Sequence, residues 1–279
     1  MNRSVTLSVF TIVVFLLLIF SAFRKAETDR NSKTIAQQSD SHSQKEFSED
    51  LPNGAIILMK AYPDHVKGYK DGRLIMKNGV SFIYDDGRKK GFVEKMDNPD
   101  IEDMFSFKYD QTANQPAFMQ DAGRCRHAAF FKSMYGHNAA EVRSHLIAVP
   151  WFGEKVMFTK INGAADSLKA VANELKRHPE LKRYLKSSGT FNWREVRGSK
   201  RISAHSFGMT IDIGVQYADY WLWKNLGKKE TDAIKYVNRF PMELVRIFEN
   251  HGFIWGGRWY HYDTMHFEFR PELLMNVNL

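Results

Sequence analysis

The strongest constraint on this 279-residue chain is that four polar side chains, spread over two distant stretches, have chemistry that requires them to meet. The stretches are Ser203-Ala-His205-Ser-Phe-Gly208-Met-Thr-Ile-Asp212 and Asp263-Thr-Met-His266-Phe-Glu268. Two imidazoles and one carboxylate, on His205, Asp212 and His266, suit a Zn2+ ion that keeps a fourth position open for water. Asp263, three residues before His266, is placed to act on that water as a general base. A lone histidine of this kind is more often structural than a ligand. Four suitable residues in two glycine- and aromatic-flanked motifs point instead to a metal-dependent hydrolase.

Local patterns say how the two stretches can converge. Thr210, Ile211 and Ile213 favour a strand that Gly214 ends. Asp212 then shares a face with Thr210, and His205 lies on the preceding loop, where Gly208 lets the backbone fold closely. In His266-Phe-Glu-Phe269 polar and apolar residues alternate, which sends His266 and Glu268 to one face and both phenylalanines to the core. Glu268 can then orient a ligand imidazole through a hydrogen bond.

Hydrophobic content of 43% and charged content of 26% are ordinary for a globular protein, and the length suits one sizeable domain with attachments. The net charge of +8 favours acidic partners. The Lys and Arg residues are scattered and no nucleic-acid motif accompanies them, so no nucleic acid is expected as a partner. Cys125 is the only cysteine; no internal disulfide can form, and the residue reads as a small core side chain.

Residues 1–24 read as a signal anchor or signal peptide, because Ser4 to Phe23 is uncharged and long enough to span a bilayer. Residues 25–50, rich in Ser, Gln and charge, read as a disordered tether. Residues 51–120 read as a β-rich extension with strands at Ala55–Met59 and Val80–Tyr84 and a tight turn at Asp85-Asp86-Gly87. Helices are expected at Arg124–Tyr135, at Ala164–Arg177 with a second piece from Pro179 to near Gly189, and at Pro241–His251. Phe253–Trp259 and His266–Phe269 alternate like strands.

The motifs Ser203 to Asp212, Gly252-Phe-Ile-Trp-Gly-Gly-Arg-Trp259 and Asp263 to Glu268 together resemble the LAS family of zinc peptidases. That family includes D-alanyl-D-alanine carboxypeptidases, D,D-dipeptidases and L-alanyl-D-glutamate endopeptidases. The resemblance is specific from Gly189 to Arg270 and softer from Asp121 to Trp151. It implies an α+β, hedgehog/D,D-peptidase-like fold, an antiparallel sheet with packed helices, making residues 121–279 the zinc peptidase domain. It also implies zinc ligands at His205, Asp212 and His266, a catalytic base at Asp263, and an arginine at Arg194 that steadies the scissile carbonyl or a substrate carboxylate. Thr210 stands where relatives often carry Ala, and Asp at the base position is closer to the endopeptidases.

The implied substrate is a peptidoglycan stem peptide, met by an exported domain in the bacterial cell envelope and held to the inner membrane by the N-terminal segment. The competing reading is a non-catalytic zinc module of the same fold that binds cell wall or protein, against which Asp263 and Arg194 speak. Trp255 and Trp259 read as core. Arg124 and Arg126 read as an exposed helix start rather than contacts to an anionic substrate, and His261 as a polar group that can face the site or solvent.

Overall fold

The apolar run after Pro52 forms a helix, not the expected strand. In the computed structural model, which describes residues 51–275, α1 spans Asn53–Ala61. Ala55 and Leu58 within it, and Tyr62 just past its end, are fully buried, at helical rather than alternating spacing. The Pro52 carbonyl accepts the otherwise free amides of Ala55 and Ile56 at 2.9 and 3.2 Å. Periodicity cannot separate a short apolar strand from a short buried helix, and tertiary burial decided the matter here.

An antiparallel meander follows, β1 (Val66–Lys70), β2 (Arg73–Met76) and β3 (Ser81–Ile83), the last inside the expected Val80–Tyr84. Asp85 then accepts the Gly87 amide at 2.7 Å, and the chain continues into a short helix at Phe92–Asp97. Cys125 is buried beside this segment, its thiol donating to the Lys95 and Asp103 carbonyls at 3.1 and 3.3 Å. Burial pushes that thiol up to about 12.

Helix α2 (Ala128–Tyr135) starts later than the sequence suggested. The His127 imidazole caps it by accepting the Phe130 amide at 3.1 Å, while Arg124 belongs to the turn before it. Its end at Gly136, where φ is 127°, is as expected. An antiparallel hairpin, β4 (Leu146–Trp151) and β5 (Glu154–Thr159), leads to α3 (Ala164–Leu175), which buries Leu168, Val171 and Leu175. Pro179 opens a 3-10 turn that closes at Tyr184, short of Gly189, because Ser187–Gly189 is strand β6.

The principal sheet adds β7 (Thr210–Ile213), then α4 (Met242–Asn250), β8 (Phe253–Trp255) and β9 (His266–Phe269). The strand order is β6-β7-β9-β8, all antiparallel, so the chain is α+β as expected. Strand β8 stops at Trp255 rather than Trp259, because Gly256-Gly257-Arg258 turns in a 3-10 arc. On one face Phe267 stacks on Phe248 of α4 with centroids 3.9 Å apart, and Phe253 meets Phe248 and Phe269 edge-on. This apolar face leaves the other side of β9, His266 and Glu268, for polar contacts.

The proposed anchor at residues 1–24 and tether at residues 25–50 lie outside the described residues. Among the described residues no helix is long and apolar enough to cross a membrane. Phe248 is 0% exposed and joins helix to sheet, so Phe248→Ala is expected to lower stability by about 3–5 kcal/mol, read as a lower urea midpoint with an unchanged slope.

Candidate metal centre

The register between β7 and β9 sets Asp212 directly opposite His266, with Ile211 opposite Phe267 and Thr210 opposite Glu268. His205 arrives from a 3-10 turn, Ala204–Phe207, that is stitched from several sides. The amide of Asn192 donates to the His205 carbonyl at 3.2 Å, and that of Thr159 to the Gly208 carbonyl at 2.9 Å. The amide of Arg194 donates to Ser206 Oγ at 3.0 Å. Gly208 leaves the turn with φ of 65°, and a Cβ there would lie 2.5 Å from a Leu146 methyl. Glycine is required on both counts.

Each imidazole has one nitrogen occupied and one free for a ligand. His205 Nδ1 lies 2.7 Å from the Thr190 carbonyl, so it carries the proton and Nε2 has the lone pair. That Nε2 is 3.2 Å from Asp212 Oδ2. His266 presents the opposite atom, Nδ1, 3.1 Å from Asp212 Oδ1, while its Nε2 faces Glu268 at 3.4 Å.

The ligand atoms of His205, Asp212 and His266 lie within 4.8 Å of one another. A tetrahedral zinc with bonds of about 2.0–2.1 Å places its ligands roughly 3.3 Å apart, and each imidazole lies close to that spacing, 3.2 and 3.1 Å, from its own oxygen of Asp212. The donor set, two imidazole nitrogens and a carboxylate, is that of an open zinc site, so the residues fit the ion. Among the described residues, His178–Glu180–Glu243 and Asp85–Asp86–Asp100 also converge, but each has two exposed members.

Asp263 is drawn to this trio by backbone contacts. Its amide donates to the Gly256 carbonyl at 3.0 Å, and its carbonyl accepts the His266 amide at 3.3 Å. A Cβ on Gly256 would fall 2.5 Å from the Asp263 carbonyl oxygen and 3.3 Å from His266 Cβ, so the glycine pair permits this approach. Asp263 Oδ1 is buried with no hydrogen-bond partner. Burial, and then the charge of Asp212, push its carboxyl up to about 7 against the pull of His266 and His205.

The other groups are poised differently. Burial works against an ionised Asp212, but His205 and His266 hold its carboxyl well below the usual range. Burial likewise opposes charge on His266, yet its bonds to Asp212 and Glu268 raise it to about 10. Such a demand for positive charge between carboxylates is one a divalent cation also meets. Burial would raise Glu268, but Arg126, His266 and Arg270 bring it down to about 2.

Arg194 is brought near only through its backbone. Its side chain is exposed, its Nη1 donates to the Glu195 carbonyl at 3.2 Å, and no ion pair or hydrogen bond joins it to the four central residues. Trp255 and Trp259 are 1% and 5% exposed, in keeping with a core role. Arg126 departs from expectation. Its side chain is only 10% exposed and faces Glu268 Oε2 at 3.3 Å. Arg124 is also mostly covered, paired with Asp121 and Glu230. His261 is buried against the Asp121 carboxylate, not turned to solvent. Arg270, fully buried between Glu268 and Glu272, was not singled out. The charged residues crowded around the apolar strand Phe267-Glu-Phe-Arg-Pro-Glu272 were the signal for it.

Replacing His266 or Asp212 by Ala should abolish stoichiometric zinc in dialysed protein, as measured by atomic absorption. For the unaltered chain, free zinc at a hundredfold above its dissociation constant should stabilise the fold by about 2.7 kcal/mol, and a chelator should remove that increment.

No curated protein and no solved structure matches the chain. One family model does, described as D-alanyl-D-alanine carboxypeptidase, over residues 197–269. Those residues carry His205, Asp212, Asp263 and His266, so the stretch that resembles the D-alanyl-D-alanine carboxypeptidase family of peptidases is the one that builds the centre.

Proposed function

We propose that this chain is a zinc-dependent peptidase that hydrolyses peptidoglycan stem peptides, as a D,D-carboxypeptidase or an L-Ala-D-Glu endopeptidase. The observation that carries the reading is Asp263, whose buried, unpartnered Oδ1 sits beside three converging metal ligands. A merely structural metal site has no use for a second carboxylate with a buried oxygen left without a hydrogen bond. The family match and the antiparallel sheet under helices support a hedgehog/D,D-peptidase-like fold for the domain.

His205 Nε2, Asp212 and His266 Nδ1 would hold a zinc ion, which would supply a Lewis acid for a peptide carbonyl and acidity for a water. Asp263 takes the proton of the attacking water and returns it to the departing amine. A carboxyl balanced near neutrality suits both transfers. One C–O bond forms and the C–N bond breaks, leaving a carboxylate and an amine. Arg194 swings its guanidinium from a fixed base, since its backbone amide is tied to Ser206 and its carbonyl to Ser203. Released from the Glu195 carbonyl, it neutralises charge on the scissile oxygen or a substrate carboxylate.

The uncharged stretch Ser4 to Phe23 supports a place in the bacterial cell envelope, with the domain exported and held at the inner membrane. The net positive charge suits a murein polymer rich in carboxylates.

Asp263→Asn should depress turnover about a hundredfold or more while zinc content stays at that of the unaltered protein. Arg194→Ala should lower kcat/KM about tenfold or more, the worth of a charge-assisted hydrogen bond. Purified sacculi incubated with the protein, followed by mass spectrometry, identify the bond. Free D-Ala marks the carboxypeptidase, and a cut between L-Ala and D-Glu marks the endopeptidase. Wall fragments released equally well by the Asp263 variant would sink Asp263 as the base, and sacculi left uncut by the unaltered protein would favour a binding module.

A further inference from the structure

We infer that His266 is aimed by a buried ladder of charges that starts in the N-terminal part of the domain, outside the matched stretch. Tyr62, Glu272, Arg270 and Arg126 fix Glu268, and Glu268 is the positioning residue for His266. The inference rests on the reading of His205, Asp212 and His266 as zinc ligands.

The contacts run without a break. Tyr62, immediately after α1, donates to Glu272 Oε2 at 2.5 Å. The other oxygen of Glu272 accepts from Arg270 Nε. Arg270 Nη1 donates to Glu268 Oε1 at 2.9 Å and to the Gly123 carbonyl at 3.1 Å. The second oxygen, Glu268 Oε2, faces Arg126 Nη1 at 3.3 Å and His266 Nε2 at 3.4 Å. Tyr62, Arg270 and Glu268 are 0% exposed, and Glu272 is 1% exposed.

With a guanidinium on each oxygen, the Glu268 carboxylate cannot rotate freely. It therefore offers an acceptor to one nitrogen of His266 in one direction. A carboxylate at Nε2 keeps the proton there and leaves the Nδ1 lone pair for the side where Asp212 lies. His205 is set the other way by the Thr190 carbonyl. The two imidazoles thus reach the same point with different atoms, and each choice is enforced by its own acceptor.

Stability alone gives little reason for such a ladder. Each buried ion costs several kcal/mol to desolvate, and apolar residues of equal volume often serve a core as well or better. Arg126 Nε and Arg270 Nη2 also lie buried with no hydrogen-bond partner. A ladder that holds a ligand's orientation accounts for charges kept at that cost.

The test uses the full chain, with zinc affinity measured by competition against a chromophoric chelator and ring-nitrogen NMR of 15N-histidine-labelled, zinc-loaded protein. Glu268→Gln should weaken zinc binding about 10- to 100-fold. The same variant should lose the protected Nε2–H signal of His266 while the Nδ1–H signal of His205 persists. Tyr62→Phe keeps every charge and every buried carbon, and it should weaken zinc in the same direction by a smaller factor with near-UV circular dichroism unchanged. If Glu268→Gln does not fold, Tyr62→Phe and Arg126→Lys carry the test. Variants that fold and bind zinc as tightly as the unaltered chain, with the His266 signal intact, would overturn the ladder alone. An unaltered chain that takes up no zinc would defeat the metal reading, and the ladder with it.

Discussion

The cross-strand pair of Asp212 and His266 is the contact on which the centre depends. Its two members come from segments far apart in the chain, and only the antiparallel register of β7 with β9 sets them face to face. A slip of β9 by one residue would turn His266 into the phenylalanine core and bring Phe267 to the polar side. The stacked Phe248–Phe267 pair therefore protects the Asp212–His266 pairing indirectly, by making that slip costly. His205 depends on the same pair, because its Nε2 has a target only where Asp212 Oδ2 is already fixed.

Around this pair the fold places three further acids in different environments. Glu268 meets two guanidiniums and stays charged, and Asp121 is paired with Arg124 and His261. Asp263 has neither a guanidinium nor a hydrogen bond for its Oδ1. It lies close enough to Asp212 to feel its negative charge. One type of group thus meets very different surroundings, and those surroundings alone set its charge. Segments before Asp121 share in this. Tyr109 accepts the Trp255 amide and donates to Glu249, which also holds Arg258, so the glycine-rich turn beside Asp263 is braced from the N-terminal side.

Much of the centre was legible in the sequence, because its ligands sit in segments with strong local signals. The β-branched run at Thr210–Ile213, the alternation of His266–Phe269 and the apolar stripe of α4 each dictated an element and a facing. Convergence then followed from chemistry. What stayed hidden depends on partners distant in the chain. No local pattern reveals that Arg126 and Arg270 share the carboxylate of Glu268, or that Asp121 closes over His261. The helix at Asn53–Ala61 was misread as a strand because five apolar residues fit either period, and only the packed position of Tyr62 resolves them. Arg194 shows the reverse case, in which its motif suggested a side-chain role while the fold fixes its backbone and leaves the guanidinium outside.

The state of Cys125 has a practical corollary. A sulfhydryl held between two backbone carbonyls and pushed up to about 12 has almost no thiolate at neutral pH, and the thiolate is the form that oxidants and alkylating agents attack. The folded protein should be indifferent to redox conditions. It needs no reductant to avoid disulfide cross-links through this residue, and labelling of Cys125 by a thiol reagent would report unfolding rather than exposure of the native surface.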